Sequence, residues 1–110
     1  MLFELRQAGI IHNSIIVANL PYLTTEELKN PTIQKEPQIA LNGGPDGLKY
    51  FRQLFSQIQK YNLKPRAIFL EIGQQQALSI KKLVLLALPK YKFKIKKDLC
   101  GFDRVIIITK

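Results

Sequence analysis

Asn19-Leu20-Pro21-Tyr22 is the run in this 110-residue chain whose residue types can act together on one reacting group. The asparagine carboxamide oxygen and the Leu20 main-chain carbonyl are neighbouring acceptors, and each can take one hydrogen of an NH2 group. A nitrogen held in this way turns its lone pair toward an electrophile. The Tyr22 ring offers a face for the planar amide or base that carries the nitrogen, and Pro21 keeps the carbonyls from being consumed in a helix. Such a turn suits methylation of an amide or exocyclic nitrogen. Its rate would come from alignment and from stabilising the positive charge that develops as the nitrogen loses conjugation. No general base, metal or nucleophilic side chain is required.

The turn needs a rigid support, and the residues before it supply one. Ser14 to Ala18 is rich in β-branched apolar side chains, the pattern of a strand buried on both faces. The carboxyl end of such a strand is where open α/β sheets bind ligands. A long loop follows, in which Thr24-Thr25-Glu26-Glu27-Leu28 predicts one short helical turn with a threonine cap and glutamates at its positive end. Pro31 and Pro37 disfavour regular structure beyond it. Asp46 is placed to cap a helix from about Gly47 to Tyr61, whose Leu48, Phe51, Leu54, Phe55, Ile58 and Tyr61 recur at helical spacing.

Lys64-Pro65 leads into Ala67 to Gly73, a second buried strand, so that strand, helix and parallel strand make a βαβ unit. Gln74 to Leu88 reads as another helix, stopped by Pro89, with Ala77, Ile80, Leu83, Val84 and Ala87 on one side. Two strands close the chain, Tyr91 to Lys97 and Arg104 to Thr109, and the short Asp98 to Asp103 link permits only an antiparallel pair. The order β-α-β-α-β-β is the second half of a doubly wound α/β sheet, parallel strands with an antiparallel terminal strand. Only fourteen residues precede Ile15, so the expected domain is a single partial one over 1–110, with the first half of the sheet absent.

Composition narrows the class of partner. Seventeen basic residues against eight acidic give a formal charge of +9, which favours phosphate- or carboxylate-rich partners and leaves ribosome or RNA proximity open. Seven of the lysines fall between Lys81 and Lys97, and in Tyr91-Lys92-Phe93-Lys94-Ile95-Lys96 they alternate with apolar residues, the pattern of an edge strand protected from pairing by its lysines. No apolar run reaches membrane-spanning length, and the first residues lack a secretory pattern. With a lone Cys100, the expected compartment is the cytoplasm.

Downstream of the turn come Glu36-Pro37-x-x-Ala40-Leu41-x-Gly43-Gly44-x-Asp46-Gly47-Leu48, then Leu70-Glu71-Ile72-Gly73, then Asp98-Leu99-x-Gly101-x-Asp103-Arg104. With these blocks in this order, the chain from about residue 14 onward resembles the release-factor glutamine methyltransferase family, in its carboxyl-terminal half only. The resemblance implies a Rossmann-like class I methyltransferase sheet in the spatial order first, second, fourth, third strand. It also implies methyl transfer from S-adenosylmethionine to the glutamine of a Gly-Gly-Gln tripeptide in class I peptide chain release factors. Carried over, Asn19 and the Leu20 carbonyl would orient the glutamine amide, Pro21 would hold the loop and Tyr22 would pack on the amide plane. Asn19 would also lie beside the methyl donor. The family usually has two prolines here, and Leu20 stands in the first place.

Asn-Leu-Pro-Tyr is similar as well to the motif of ribosomal RNA adenine dimethylases, which keeps an RNA adenine substrate as the alternative. The downstream blocks favour glutamine. The family's glycine-rich turn and acidic residue for the methyl donor would both fall upstream of Met1, so the chain alone is expected to bind the donor weakly. A missing amino-terminal half would then be a partner, or else the chain is a non-catalytic module that binds a release factor or the ribosome. Gly43-Gly44-x-x-Gly47 follows a proline-rich loop rather than a strand and reads as a device for the loop and the start of the helix.

Other tempting residues carry less. His12 has no second ligand near it, and Cys100 has no partner that would activate a thiol. Glu71 ends a strand beside the turn, where ion pairing or a bond to a loop amide is expected rather than catalysis. Asp103 and Arg104 are expected to fix the last hairpin. If only the ring face of Tyr22 matters, Tyr22→Phe should be nearly neutral.

Overall fold

The computed structural model describes residues 13–31 and 41–110, so His12 and the Glu36 to Ala40 part of the second block lie outside the described residues. Among the described residues, strands form where β-branched and aromatic residues run together: β1 (Ile15–Ala18), β2 (Ala67–Glu71), β3 (Lys92–Lys97) and β4 (Asp103–Thr109). Two helices, α1 (Lys49–Lys60) and α2 (Ala77–Ala87), sit between them, and a short 3-10 turn spans Glu27–Lys29. The four strands form one sheet in the order β1-β2-β4-β3, with β1 parallel to β2 and β4 antiparallel to both neighbours. This is the expected Rossmann-like half-sheet.

The register makes the core. Ile16, Ile68, Ile108 and Phe93 stand in one row across the sheet, and Ala18, Leu70, Ile106 and Ile95 in the next. These rows meet Phe51, Leu54, Phe55 and Ile58 of α1 and Ile80 and Val84 of α2 in a single cluster, so both helices cover the same face. Removing each fully buried aliphatic or aromatic side chain of α1 from water contributes about 2 kcal/mol. That burial holds the carboxyl ends of β1 and β2 side by side.

Three expectations change. The strand expected to be buried on both faces is buried on neither completely: Ile15 is 48% and Val17 76% exposed, because both helices pack on the opposite face. The first helix begins at Lys49, not Gly47, because the Asp46 side chain accepts from the Leu48 amide (3.0 Å) and sets a turn before the helix. The second spans Ala77–Ala87 and leaves Gln74 and Gln75 in a turn. The threonine cap does form, since Thr24 Oγ1 accepts from the Glu27 amide and Glu27 Oε1 from the Thr24 amide, a reciprocal capping box.

Lysine protects one sheet edge, where Lys92, Lys94 and Lys96 of β3 are exposed. At the other edge, β1 presents Ile15 and Val17. An end strand left uncovered among the described residues is expected to promote self-association, and Val17→Lys to shift the chain toward monomer in sedimentation velocity, with folding stability changed by no more than about 0.5 kcal/mol, as is usual for an exposed site. Undiminished association would place the pairing surface elsewhere.

Candidate functional site

The loop from Asn19 to Leu23 leaves the end of β1 and is tied down along its second half. The Leu23 amide donates to the Leu41 carbonyl (3.0 Å), and the Gly43 amide donates to the Leu23 carbonyl (2.8 Å). Gln76, at the start of α2, closes the loop from below. Its Nε2 donates to the Tyr22 carbonyl (3.0 Å) and the Gly47 carbonyl (3.3 Å), while its Oε1 accepts from the Gly73 amide (2.9 Å). One carboxamide thus joins the loop, the turn before α1 and the end of β2.

Glycines make room for this contact. A Cβ on Gly43 would come within 2.8 Å of the Pro21 carbonyl oxygen and 2.7 Å of Tyr22 Cα. At Gly47, where φ is +75°, it would run onto the Tyr22 carbonyl oxygen. The Gly43-Gly44-x-x-Gly47 run therefore clamps the backbone of the Pro21-Tyr22 turn. Its glycines serve close approach and positive φ, as the sequence context suggests.

Tyr22 is also held at its far end. Its hydroxyl donates to Glu71 Oε1 (3.0 Å) and accepts from Arg104 Nη1 (3.3 Å). Burial pushes the Tyr22 phenol above its ordinary pKa; the Glu71 carboxylate adds to the rise and Arg104 opposes it. Glu71 thus bonds a tyrosine hydroxyl, where an ion pair or a loop amide was expected as its partner. Arg104 does fix the hairpin, through Nε and Nη2 to Asp98 Oδ2 at 3.3 and 3.2 Å, and it reaches the site as well. Asp98 also accepts from the Cys100 and Phe102 amides, and the Phe102 bond is the first cause of its lowered pKa. Asp103 pairs with Lys97 across the same hairpin (3.0 Å).

The first half of the loop is left open. Asn19 is exposed and its side chain has no hydrogen-bond partner among the described residues, nor has the Leu20 carbonyl, while the Leu20 side chain packs on the core. The structure brings Asn19, Leu20, Pro21 and Tyr22 together at the carboxyl ends of two parallel strands, the usual ligand end of such sheets. Sequence reasoning missed Gln76, one of three successive glutamines with nothing local to distinguish it, and the reach of Arg104 to Tyr22.

A cleft of about 280 Å³ opens beside Tyr22, lined among others by Thr24, Glu27, Asp46, Gln76 and Ser79. Its carboxylates are engaged. Glu27 caps Thr24, and Asp46 pairs with Arg52, which is the first cause of its lowered pKa. No group of three or more metal-ligating side chains occurs among the described residues, and no helix there is long and apolar enough to cross a membrane.

No family model matches the chain. It is 42% identical over 98 residues to the release factor glutamine methyltransferase of Thermodesulfovibrio yellowstonii, a match covering 86% of this chain and 35% of that protein. To the enzyme of the same name from Caulobacter vibrioides it is 37% identical over 100 residues, covering 87% and 34%. In structure it is similar to the release-factor-specific protein-(glutamine-N5) methyltransferase of Alicyclobacillus acidocaldarius, with TM-score 0.63, 28% identity, and coverage of 99% of this chain and 55% of that one. Sheet, turn and likeness together define a part of a Rossmann-like methyltransferase. Over the residues matched, the chain is similar to part of the release factor glutamine methyltransferases, and it spans about a third of the length of the curated relatives it matches.

The family implies S-adenosylmethionine as methyl donor. The described residues do not fit that donor. The faces of Gly43 and Gly47 that a phosphate- or donor-binding turn would offer are filled by the Pro21-Tyr22 backbone, and the carboxylates beside Tyr22 are already bonded.

Proposed function

We propose that the chain is the acceptor-holding part of an S-adenosylmethionine-dependent protein-glutamine N-methyltransferase. Its substrate is the Gly-Gly-Gln tripeptide of class I peptide chain release factors, met in the cytoplasm. The observation that carries this reading is the division of labour within one turn: the Tyr22 and Leu23 backbone is bonded from three sides, while Asn19 and the Leu20 carbonyl keep their acceptors open. Those two acceptors take the two hydrogens of the glutamine amide. Pro21 holds the spacing between them, and the Tyr22 ring supports the amide plane. Leucine in place of the family's first proline is compatible, since the contact is a main-chain carbonyl and the Leu20 side chain is anchored in the core. When bound, the donor supplies an activated methyl group.

In this reading residues 1–110 are one partial domain, and the donor pocket is completed by polypeptide corresponding to the rest of the relatives' length. The test fuses the chain behind the amino-terminal portion of the Thermodesulfovibrio enzyme and exposes the hybrid to a release factor and to ribosomal RNA. One added methyl group on the Gly-Gly-Gln glutamine is the expected product by mass spectrometry. Methylated adenine beside unmodified glutamine would assign the chain to RNA instead. The unfused chain is expected to show no saturable donor binding in titration calorimetry at concentrations that saturate the hybrid.

A further inference from the structure

Tyr22 is the one residue of the turn held at both ends, and the bonds at its hydroxyl have a sense. A phenol has one proton to give, and Glu71, a carboxylate when ionised, can only accept it. A guanidinium can only donate, so Arg104 must address the phenol oxygen's lone pair. Carboxylate, phenol and guanidinium therefore form a chain of bonds with a single direction, and no rotation of the hydroxyl satisfies it in reverse. Charge-assisted bonds of this kind are stronger than neutral ones. Arg104 is in turn locked by two bonds to Asp98, which also organises the β3–β4 turn through two amides.

We propose that Glu71 and Arg104 are positioning residues for substrate: they set the plane of the Tyr22 ring, and Arg104 couples the β3–β4 hairpin to the substrate turn. The inference rests on the proposed function for the identity of the substrate, and it extends that reading to two residues that touch no substrate themselves. With the carbonyl of Tyr22 fixed by Gln76 and its ring flanked by Gly73, the hydroxyl bonds remove the remaining freedom of the side chain. A glutamine amide then meets a ring already in place, which lowers the ordering cost of binding. The hydroxyl is thus as much a part of the site as the ring face. Tyr22→Phe, near neutral if only the ring face matters, should instead behave like loss of the whole network.

Two measurements test this, one of them independent of catalysis. In the unfused chain, ultraviolet titration of wild type minus Tyr22→Phe isolates Tyr22 from the other three tyrosines. Glu71→Gln should lower the Tyr22 pKa and Arg104→Met should raise it. In the hybrid enzyme, Arg104→Met should raise KM for the release factor about tenfold with kcat changed less, within the coupling range of contacting side chains. Arg104→Lys should recover part of the loss. The same Arg104→Met change in a Tyr22→Phe background should add almost nothing. Equal losses in both backgrounds, or a Tyr22 titration indifferent to both substitutions, would overturn the proposal. Should the hybrid leave glutamine unmodified, the substrate assignment falls, and the titration still decides whether Glu71 and Arg104 engage the Tyr22 hydroxyl.

Discussion

Replacing Asn19 by alanine in the hybrid enzyme is expected to lower kcat about a hundredfold, close to 3 kcal/mol, the usual cost of removing one preorganised hydrogen-bonding group from a reacting centre. The loss should fall on turnover. In the proposed role the Asn19 oxygen polarises and aims the amide nitrogen most strongly as positive charge develops there, so its contact is worth more in the transition state than in the bound substrate. Folding should be unaffected, because Asn19 is exposed and bonds to no side chain or backbone group among the described residues. The turn is held by Leu23, Gly43 and Gln76 whether or not Asn19 is present. A variant with unchanged melting temperature and turnover within about threefold of the parent, under 1 kcal/mol, would remove Asn19 from the chemistry.

That separation between an open acceptor pair and its bonded frame explains what was legible in the sequence. Asn19 and Tyr22 stood out because the proposed chemistry needs those types at that spacing, next to a strand of β-branched residues. The frame was less visible. Gln76 acts on carbonyls from two other segments, and no periodicity or spacing reports a side chain whose partners are 54 and 29 residues away. Glu71 and Arg104 could be placed at the right end of the sheet from their strands, yet the tyrosine between them depended on a loop whose path no local rule describes. The strand order β1-β2-β4-β3 was inferred through family resemblance, because hairpin length makes β4 antiparallel to β3 but does not decide which side of β2 it joins. Ile15-Ile16-Val17-Ala18 was misread for a related reason. A run of apolar residues says that neither face repels a cover, and it cannot say which face this chain itself covers.

The glycine clamp gives the largest expected effect on stability, and the protein contains its own control. Gly47→Ala is expected to cost about 3 to 4 kcal/mol: 1 to 2 for an L-residue held at positive φ, and the remainder for overpacking at a buried position. The second part arises because the new methyl group would overlap the Tyr22 carbonyl oxygen and come within 2.6 Å of Gln76 Nε2. Gly101→Ala places the same residue at a comparable φ of +86°, with nothing within 4 Å of its Cβ. It should cost about 1 to 2 kcal/mol, the backbone term alone. Urea unfolding with unchanged m-value measures both, and their difference isolates the clamp from the strain. Equal losses would mean that the turn yields to the methyl group at no cost, and that Gly47 serves only its own backbone angle. A clear difference, accompanied in the hybrid by a raised KM for Gly47→Ala and an unchanged one for Gly101→Ala, is expected if the Gly43 to Gly47 run holds the substrate turn in place.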